Sequence, residues 1–312
     1  MNKYYPYEQI SLVVVKRVNK KKVFGLLIIV LAILLLVLLY IANIHRKMLE
    51  ISKDNNYNDI VEYDDNYSDM QYNIIAEANI PEESENKIVT PLPVLTQAGR
   101  DNMENIYITD EKVAYLTFDD GPSSNVTPQI LNILDQYQVK ATFFVLGCNV
   151  VRYPDLVKKE YESGHYIANH GYTHAYETVY SSSQSVLDEY IRTQQAIRDA
   201  IGIQEYCCHL FRFPGGTGGT KYRAVKNEAK QLLSDNDVLY IDWNALTNDA
   251  VGKPTEESII NDLISSVGTK NSVVILMHDN ASKQLTANML PHVLNYLIGQ
   301  GYKFKTFYDV IM

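Results

Sequence analysis

From residue 111 onward the chain alternates short β-branched or aromatic runs with amphipathic stretches, and that alternation restricts it to an α/β architecture on a parallel sheet. Runs 113–118, 141–146, 166–169, 209–213, 238–243, 273–277 and 302–307 are bounded by Gly, Pro or Asp and read as strands. The helical stretches between them include 128–136, 183–201, 256–267 and 285–298. Seven strands fall one short of the eight of an ordinary barrel, and an open doubly wound sheet fits the same count. No internal repeat is visible.

The region ahead of residue 111 has a different texture. Residues 23–44 are apolar except Asn43, a run of 22 that spans a hydrocarbon core of about 30 Å as a helix. Lys16, Arg17, Lys20, Lys21 and Lys22 precede it, against Arg46 and Lys47 after it, so the positive-inside rule predicts a cytoplasmic tail over 1–22 and an exterior location beyond 44. A small-residue cleavage site is lacking around Tyr40 to Ile44, which favours an uncleaved anchor over a secretory signal.

Charge divides the chain in the same way. Residues 1–44 carry +5, residues 45–110 carry −9 and residues 111–312 carry −5. The acidic, Asn- and Tyr-rich segment 45–110 reads as an extracellular stalk, and no basic surface is available for a nucleic-acid backbone. Cys148, Cys207 and Cys208 offer neither a disulfide framework nor metal-type spacing, and read as free thiols.

Five motifs carry the reactive side chains. Thr117-Phe118-Asp119-Asp120-Gly121-Pro122 closes the first strand. Adjacent carboxylates in a regular strand point to opposite faces, but Gly121 and Pro122 end the strand and let both approach one cavity. One can then bind a cation while its neighbour takes a proton. His170-Gly171-Tyr172-Thr173-His174 follows the third strand, and imidazoles four residues apart can share a divalent ion. With Asp120 they supply three ligands and room for water, the arrangement of a catalytic zinc-like site.

Phe211-Arg212-Phe213-Pro214-Gly215-Gly216 runs from a strand into a glycine-rich turn. Arg212 suits bidentate capture of a carboxylate, and the glycines free backbone N–H groups for an oxyanion. Tyr240-Ile241-Asp242-Trp243-Asn244 holds the only tryptophan, and Ile275-Leu276-Met277-His278-Asp279 puts a histidine at a strand end. Singly, each motif has an ordinary reading as a turn, a solvated loop or a packed ring. Jointly they share one property: each lies at the C-terminal end of an expected strand, where the strands of a parallel barrel converge on one mouth.

Over nearly all of residues 111–312 these ordered motifs resemble the polysaccharide deacetylases, the NodB-homology or carbohydrate esterase family 4 domain. The resemblance implies a distorted (β/α)7 barrel of the polysaccharide deacetylase type, here preceded by one transmembrane helix and a linker. It implies Asp119 as general base and His278 as general acid, with Arg212 holding the base carboxylate and Asp242 tuning the histidine. Asp120, His170 and His174 match the metal ligands, Gly215 the backbone oxyanion donor, and Trp243 and Leu276 the lining of an acetyl-methyl pocket. One departure stands out: the family usually has Ser or Thr after the first histidine, where this chain has Gly171, so a hydrogen bond steadying the metal loop is not supplied from that position.

The cofactor so implied is a divalent metal, zinc first, with cobalt, nickel and manganese also suited to the ligands. The partner implied is an acetylated cell-wall glycan, the N-acetylglucosamine units of peptidoglycan before chitin oligosaccharide, poly-N-acetylglucosamine or O-acetylated xylan. A non-catalytic glycan-binding surface protein is the alternative from another class, and the full complement of ligands, base and acid argues against it.

Overall fold

The computed structural model describes residues 90–312. The tail 1–22, the apolar run 23–44 and residues 45–89 lie outside the described residues, among which no helix is long and apolar enough to cross a membrane. The strands are β1 (Val113–Asp119), β2 (Thr142–Val145), β3 (Tyr166–Asn169), β4 (Leu210–Phe211), β5 (Leu239–Tyr240), β6 (Ala245–Leu246), β7 (Ser272–His278) and β8 (Lys303–Phe304). Around them run α1 (Gln97–Glu104), α2 (Thr127–Gln136), α3 (Gly147–Arg152), α4 (Pro154–Glu162), α5 (Tyr176–Val179), α6 (Ser183–Ile201), α7 (Arg223–Asp235), α8 (Glu256–Val267), α9 (Gln284–Gly299) and α10 (Tyr308–Ile311).

All pairings are parallel, in the order β5-β4-β3-β2-β1-β7-β6, with β8 joined to the start of β1. Each of the seven expected strand regions contains an observed strand; β6 is an eighth that the sequence does not announce. All seven residues of β1 are buried, as a central parallel strand covered on both faces requires.

The helices owe their limits to local chemistry. α6 starts where the Ser182 hydroxyl accepts from Ser185 N–H and stops at Gly202, while Val186, Tyr190, Ile197 and Ile201 recur at helical spacing on its buried side. α8 opens with a reciprocal cap between Thr255 and Ser258 and buries Ile259, Leu263 and Val267.

The two ends of the sheet, β5 and β6, are consecutive in the chain and joined by residues 241–244 alone. Ile241 N–H still bonds Phe211 O on one flank at 3.2 Å, and Asn244 N–H bonds Val274 O on the other at 3.2 Å. A connection this short reaches roughly 18 Å at full stretch. The sheet must therefore curl until its edges nearly meet, giving an incomplete barrel sealed by covalent chain rather than by a ladder.

One boundary needs correction. Residues 90–110, counted from sequence in the stalk 45–110, belong to the folded unit. Thr96 caps α1 by accepting from Gly99 N–H at 2.9 Å, and Met103 and Ile106 are buried in the main core. Asn102 Nδ2 donates to Val310 O at 3.1 Å, and Ser272 Oγ to Ile106 O at 2.6 Å. The acid-rich composition of the longer segment hides these few apolar side chains. Met103→Ala should accordingly cost about 2–4 kcal/mol of unfolding free energy in a denaturant titration, as for a buried large-to-small change; a substitution in a solvated spacer would cost nothing measurable.

Candidate active site

β1 delivers the two carboxylates. Thr117 and Asp119 are two apart on the strand and both meet the Arg212 guanidinium, Nη1 lying 2.7 Å from Thr117 Oγ1 and 2.8 Å from Asp119 Oδ1. After Asp119 the backbone turns left-handed, with φ 73° at Asp120. The turn brings both acids to one imidazole: His170 Nε2 is 3.7 Å from Asp119 Oδ2 and 3.6 Å from Asp120 Oδ1.

His174 Nε2 is 3.5 Å from the same Asp120 oxygen, and one ligand atom from each of Asp120, His170 and His174 lies within 4.8 Å of the others. Ligands about 2.1 Å from a tetrahedral ion stand roughly 3.4 Å apart, so the spacing fits one small divalent cation. Among the described residues Asp120 Oδ1 is buried and finds no hydrogen-bond donor, as a ligand atom would. His170 Nδ1 is 2.8 Å from Arg212 O, which places the proton on that nitrogen and leaves Nε2 a lone pair facing Asp120.

Electrostatics support the same use. Burial pushes the Asp120 carboxyl up, but the neighbouring histidines, His278 among them, and a hydrogen bond from Asn280 outweigh it and hold the carboxyl below its ordinary value. Burial lowers the His170 pKa against the pull of Asp119 and Asp120, which keeps the ring neutral and able to ligate.

The loop carrying the histidines is steadied in a way the sequence does not reveal. Gly171 sits at φ 81°, a left-handed conformation costly for other residues. Its N–H donates to Asn169 Oδ1 at 2.9 Å. Glu189, from α6, accepts from Tyr172 N–H at 2.5 Å, Thr173 N–H at 2.7 Å and Thr173 Oγ1 at 3.0 Å. Gly147 and Cys148, in the first turn of α3, donate to Gly171 O and Tyr172 O. A buried carboxylate thus supplies the restraint that glycine at 171 cannot.

On the other flank, Asp119 and His278 are register partners of β1 and β7. His278 Nδ1 is 2.7 Å from Asp249 Oδ1, whose second oxygen accepts from His278 N–H at 2.8 Å and Thr286 Oγ1 at 2.7 Å. Burial lowers the His278 pKa, but the hydrogen bond and charge of Asp249, reinforced by Asp119 and Asp120, carry it above the ordinary histidine value.

The expectation that Asp242 tunes His278 is therefore corrected, since Asp249 does so. Asp242 instead accepts from Thr217 N–H at 3.0 Å and from the Thr217 hydroxyl, pinning the end of the glycine-rich turn. The reason is topological. Asp242 follows β5, at the far edge of the sheet, whereas Asp249 follows β6, the direct neighbour of the strand bearing His278.

The remaining expected residues fall around this centre. Leu276 is the register partner of Thr117 and, on its other side, of Leu246. Trp243 packs on the core in the barrel seam, its ring centroid 5.8 Å from the Arg212 guanidinium carbon. Gly215, at φ 70°, lies in a turn closed by Gly216 N–H to Phe213 O and held by Tyr180, whose hydroxyl donates to Pro214 O at 2.6 Å. Over that turn stands Tyr176, whose pKa burial raises, with Asp120 and Tyr222 adding, so its hydroxyl keeps its proton. The cysteines are free, Cys148 exposed and Cys208 buried.

Comparison with known proteins agrees with this geometry. The family model described as polysaccharide deacetylase matches residues 107–232. A peptidoglycan-N-acetylglucosamine deacetylase of Listeria monocytogenes is 37% identical over 198 residues, 64% of this chain but 38% of that protein, so the chain spans well under half the length of that relative. A Bacillus cereus protein of the same description is 34% identical over 204 residues, 64% of this chain and 71% of its own. Among solved structures, a Streptococcus mutans CE4 esterase is similar with TM-score 0.61 and 31% identity, over 68% of this chain and 92% of that one.

Glu189 touches no ligand atom, yet it fixes the backbone on which both histidines hang. Glu189→Ala should weaken Zn²⁺ binding by about 10–100-fold in a chelator-competition titration, the range expected for a lost outer partner of a metal site. Unchanged affinity would show that the loop is held without it.

Proposed function

This chain belongs to the polysaccharide deacetylase family, and we propose that it is a metal-dependent hydrolase removing N-acetyl groups from N-acetylglucosamine units of a cell-wall glycan, peptidoglycan foremost. The observation that carries the reading is the Asp120, His170 and His174 cluster flanked by a carboxylate oxygen, Asp119 Oδ2, on one side and a histidine backed by Asp249 on the other.

A divalent ion held by the three ligands would polarise the acetyl carbonyl and lower the pKa of water toward about 7; zinc suits this donor set best. Asp119 gives Oδ1 to Arg212, so Oδ2 is the atom that takes the proton of the attacking water. The Gly215 N–H donates to the oxyanion that develops as the carbonyl carbon becomes tetrahedral. An amine leaves poorly until protonated. His278 holds its Nδ1 against Asp249 and delivers a proton from Nε2 to the departing nitrogen. Acetate and a free amino sugar result, with Trp243 and Leu276 bounding the methyl group.

The same reading assigns residues 23–44 to a single membrane-spanning anchor, with the tail inside and the catalytic domain outside, in reach of the wall. The apolar length and the cluster of bases before it support that placement.

Acetate release from purified peptidoglycan, compared with release from O-acetylated xylan, tests the activity and its substrate. The wild-type chain should act on the former, and Asp119→Asn should lose about 10²–10⁴-fold, the worth of a positioned base; equal release by both proteins would remove Asp119 from the role.

The pH profile separates the two aspartates. His278 works in its protonated form, so activity declines as pH rises through its pKa. Asp249→Asn removes the carboxylate charge that helps raise that pKa and should move the alkaline limb of kcat/KM to lower pH, while Asp242→Asn should leave the limb in place.

A further inference from the structure

Two residues beyond His174 an aromatic column rises beside the site. Ring centroids of His174 and Tyr176 are 5.4 Å apart, those of Tyr176 and Tyr180 5.8 Å, and those of Tyr180 and Tyr222 4.9 Å. Two of the three phenol groups are committed to structure. Tyr180 donates to Pro214 O at 2.6 Å, and Tyr222 donates to Glu177 Oε1 at 2.7 Å. The Tyr176 hydroxyl bonds to nothing among the described residues, and the residue is 41% exposed.

Its position adds a second reason for the glycine at 215, whose φ of 70° already favours one. A Cβ built on Gly215 would collide with the Tyr176 hydroxyl, so that oxygen fills the space a side chain at 215 would take. Among the described residues the Gly215 N–H also meets no acceptor. Two uncommitted donors, one from the backbone and one from a phenol, therefore stand side by side next to the Asp120, His170 and His174 cluster. Unsatisfied donors near one another suit a developing negative oxygen, and they serve best when packing fixes them beforehand.

We infer that Tyr176 is a catalytic residue, its O–H donating alongside the Gly215 N–H to the acetyl oxygen as that oxygen becomes an anion; this rests on the hydrolase reading above. The bond is weak to the neutral carbonyl and strengthens as charge develops, so its contribution falls on turnover rather than on substrate binding. Tyr180 and Tyr222 hold the ring, and Lys226, whose Nζ donates to Gly216 O at 2.6 Å, holds the turn from its far end.

The test is Tyr176→Phe in the full chain loaded with Zn²⁺, assayed for acetate release from a soluble N-acetylglucosamine pentamer. The expected result is a fall in kcat of about 10–100-fold, somewhat below the loss seen when a principal oxyanion donor is removed. KM, Zn²⁺ affinity and melting temperature should stay at wild-type values. With an active wild type, an unchanged kcat, or a rise in KM alone, would overturn the assignment and leave the hydrolase reading standing; the second outcome would make the ring a sugar-stacking surface. A fall in kcat matched by lost Zn²⁺ affinity would also overturn it, by showing that the ring acts through His174. A wild-type chain that releases no acetate from any acetylated glycan would overturn both.

Discussion

A single buried guanidinium ties the working parts together. Arg212 is wholly shielded from solvent, and its donors reach Thr117 Oγ1 and Asp119 Oδ1 on β1, Ile241 O at 3.2 Å and Asp242 O at 3.3 Å in the seam. Its guanidinium carbon lies 3.9 Å from the Phe144 ring centroid, and its own carbonyl fixes the tautomer of His170. Burying such a charge is costly unless its donors are matched, and stranding it by removing one partner costs on the order of 3–5 kcal/mol. A lysine could not reproduce a planar fork that serves a carboxylate, a hydroxyl and two carbonyls while stacking on a ring. Position 212 is thus both the keystone of the barrel interior and the reason Asp119 presents one particular oxygen to the site.

From that anchor the chemistry divides along β1. The metal-type ligands gather on the side of β2, β3 and β4, where α3 and Glu189 brace their loop. The proton donor stands on the side of β7 and β6, braced by Asp249, which Thr286 and Lys283 secure in turn. The electrostatic consequences run in opposite senses: neighbouring histidines and Asn280 favour the anionic form of Asp120, and surrounding carboxylates favour the cationic form of His278. Two neighbouring groups are thereby kept in the states their separate tasks need.

Much of this was legible in the chain itself. Strand ends were readable because punctuation by Gly, Pro and Asp coincides with changes in hydrophobic period, and α6 and α8 begin and end where their caps require. Asp119, Asp120, His170, His174, Arg212 and His278 were visible because each sits at such an end. Asp249 was not, since its importance depends on β6, two residues long, pairing with β7, and so short a strand leaves no periodic trace. Glu189 was hidden for another reason. It lies on the inner face of a long helix, where a single acid among polar residues looks like part of a solvated surface. Met103 and Ile106 were lost in the acid-rich composition of their neighbourhood.

The four-residue splice between β5 and β6 has a wider consequence. In a fully hydrogen-bonded cylinder the stagger of every strand must sum to one allowed shear, so altering any strand disturbs all the others. Here the circuit is broken, and the stagger accumulated from β1 to β5 need not match that from β1 to β6. The two walls need not share one register. The loops bearing cation ligands and those bearing the proton donor can be lengthened or tilted separately, and a single scaffold can be refitted to differently shaped polymers without being rebuilt.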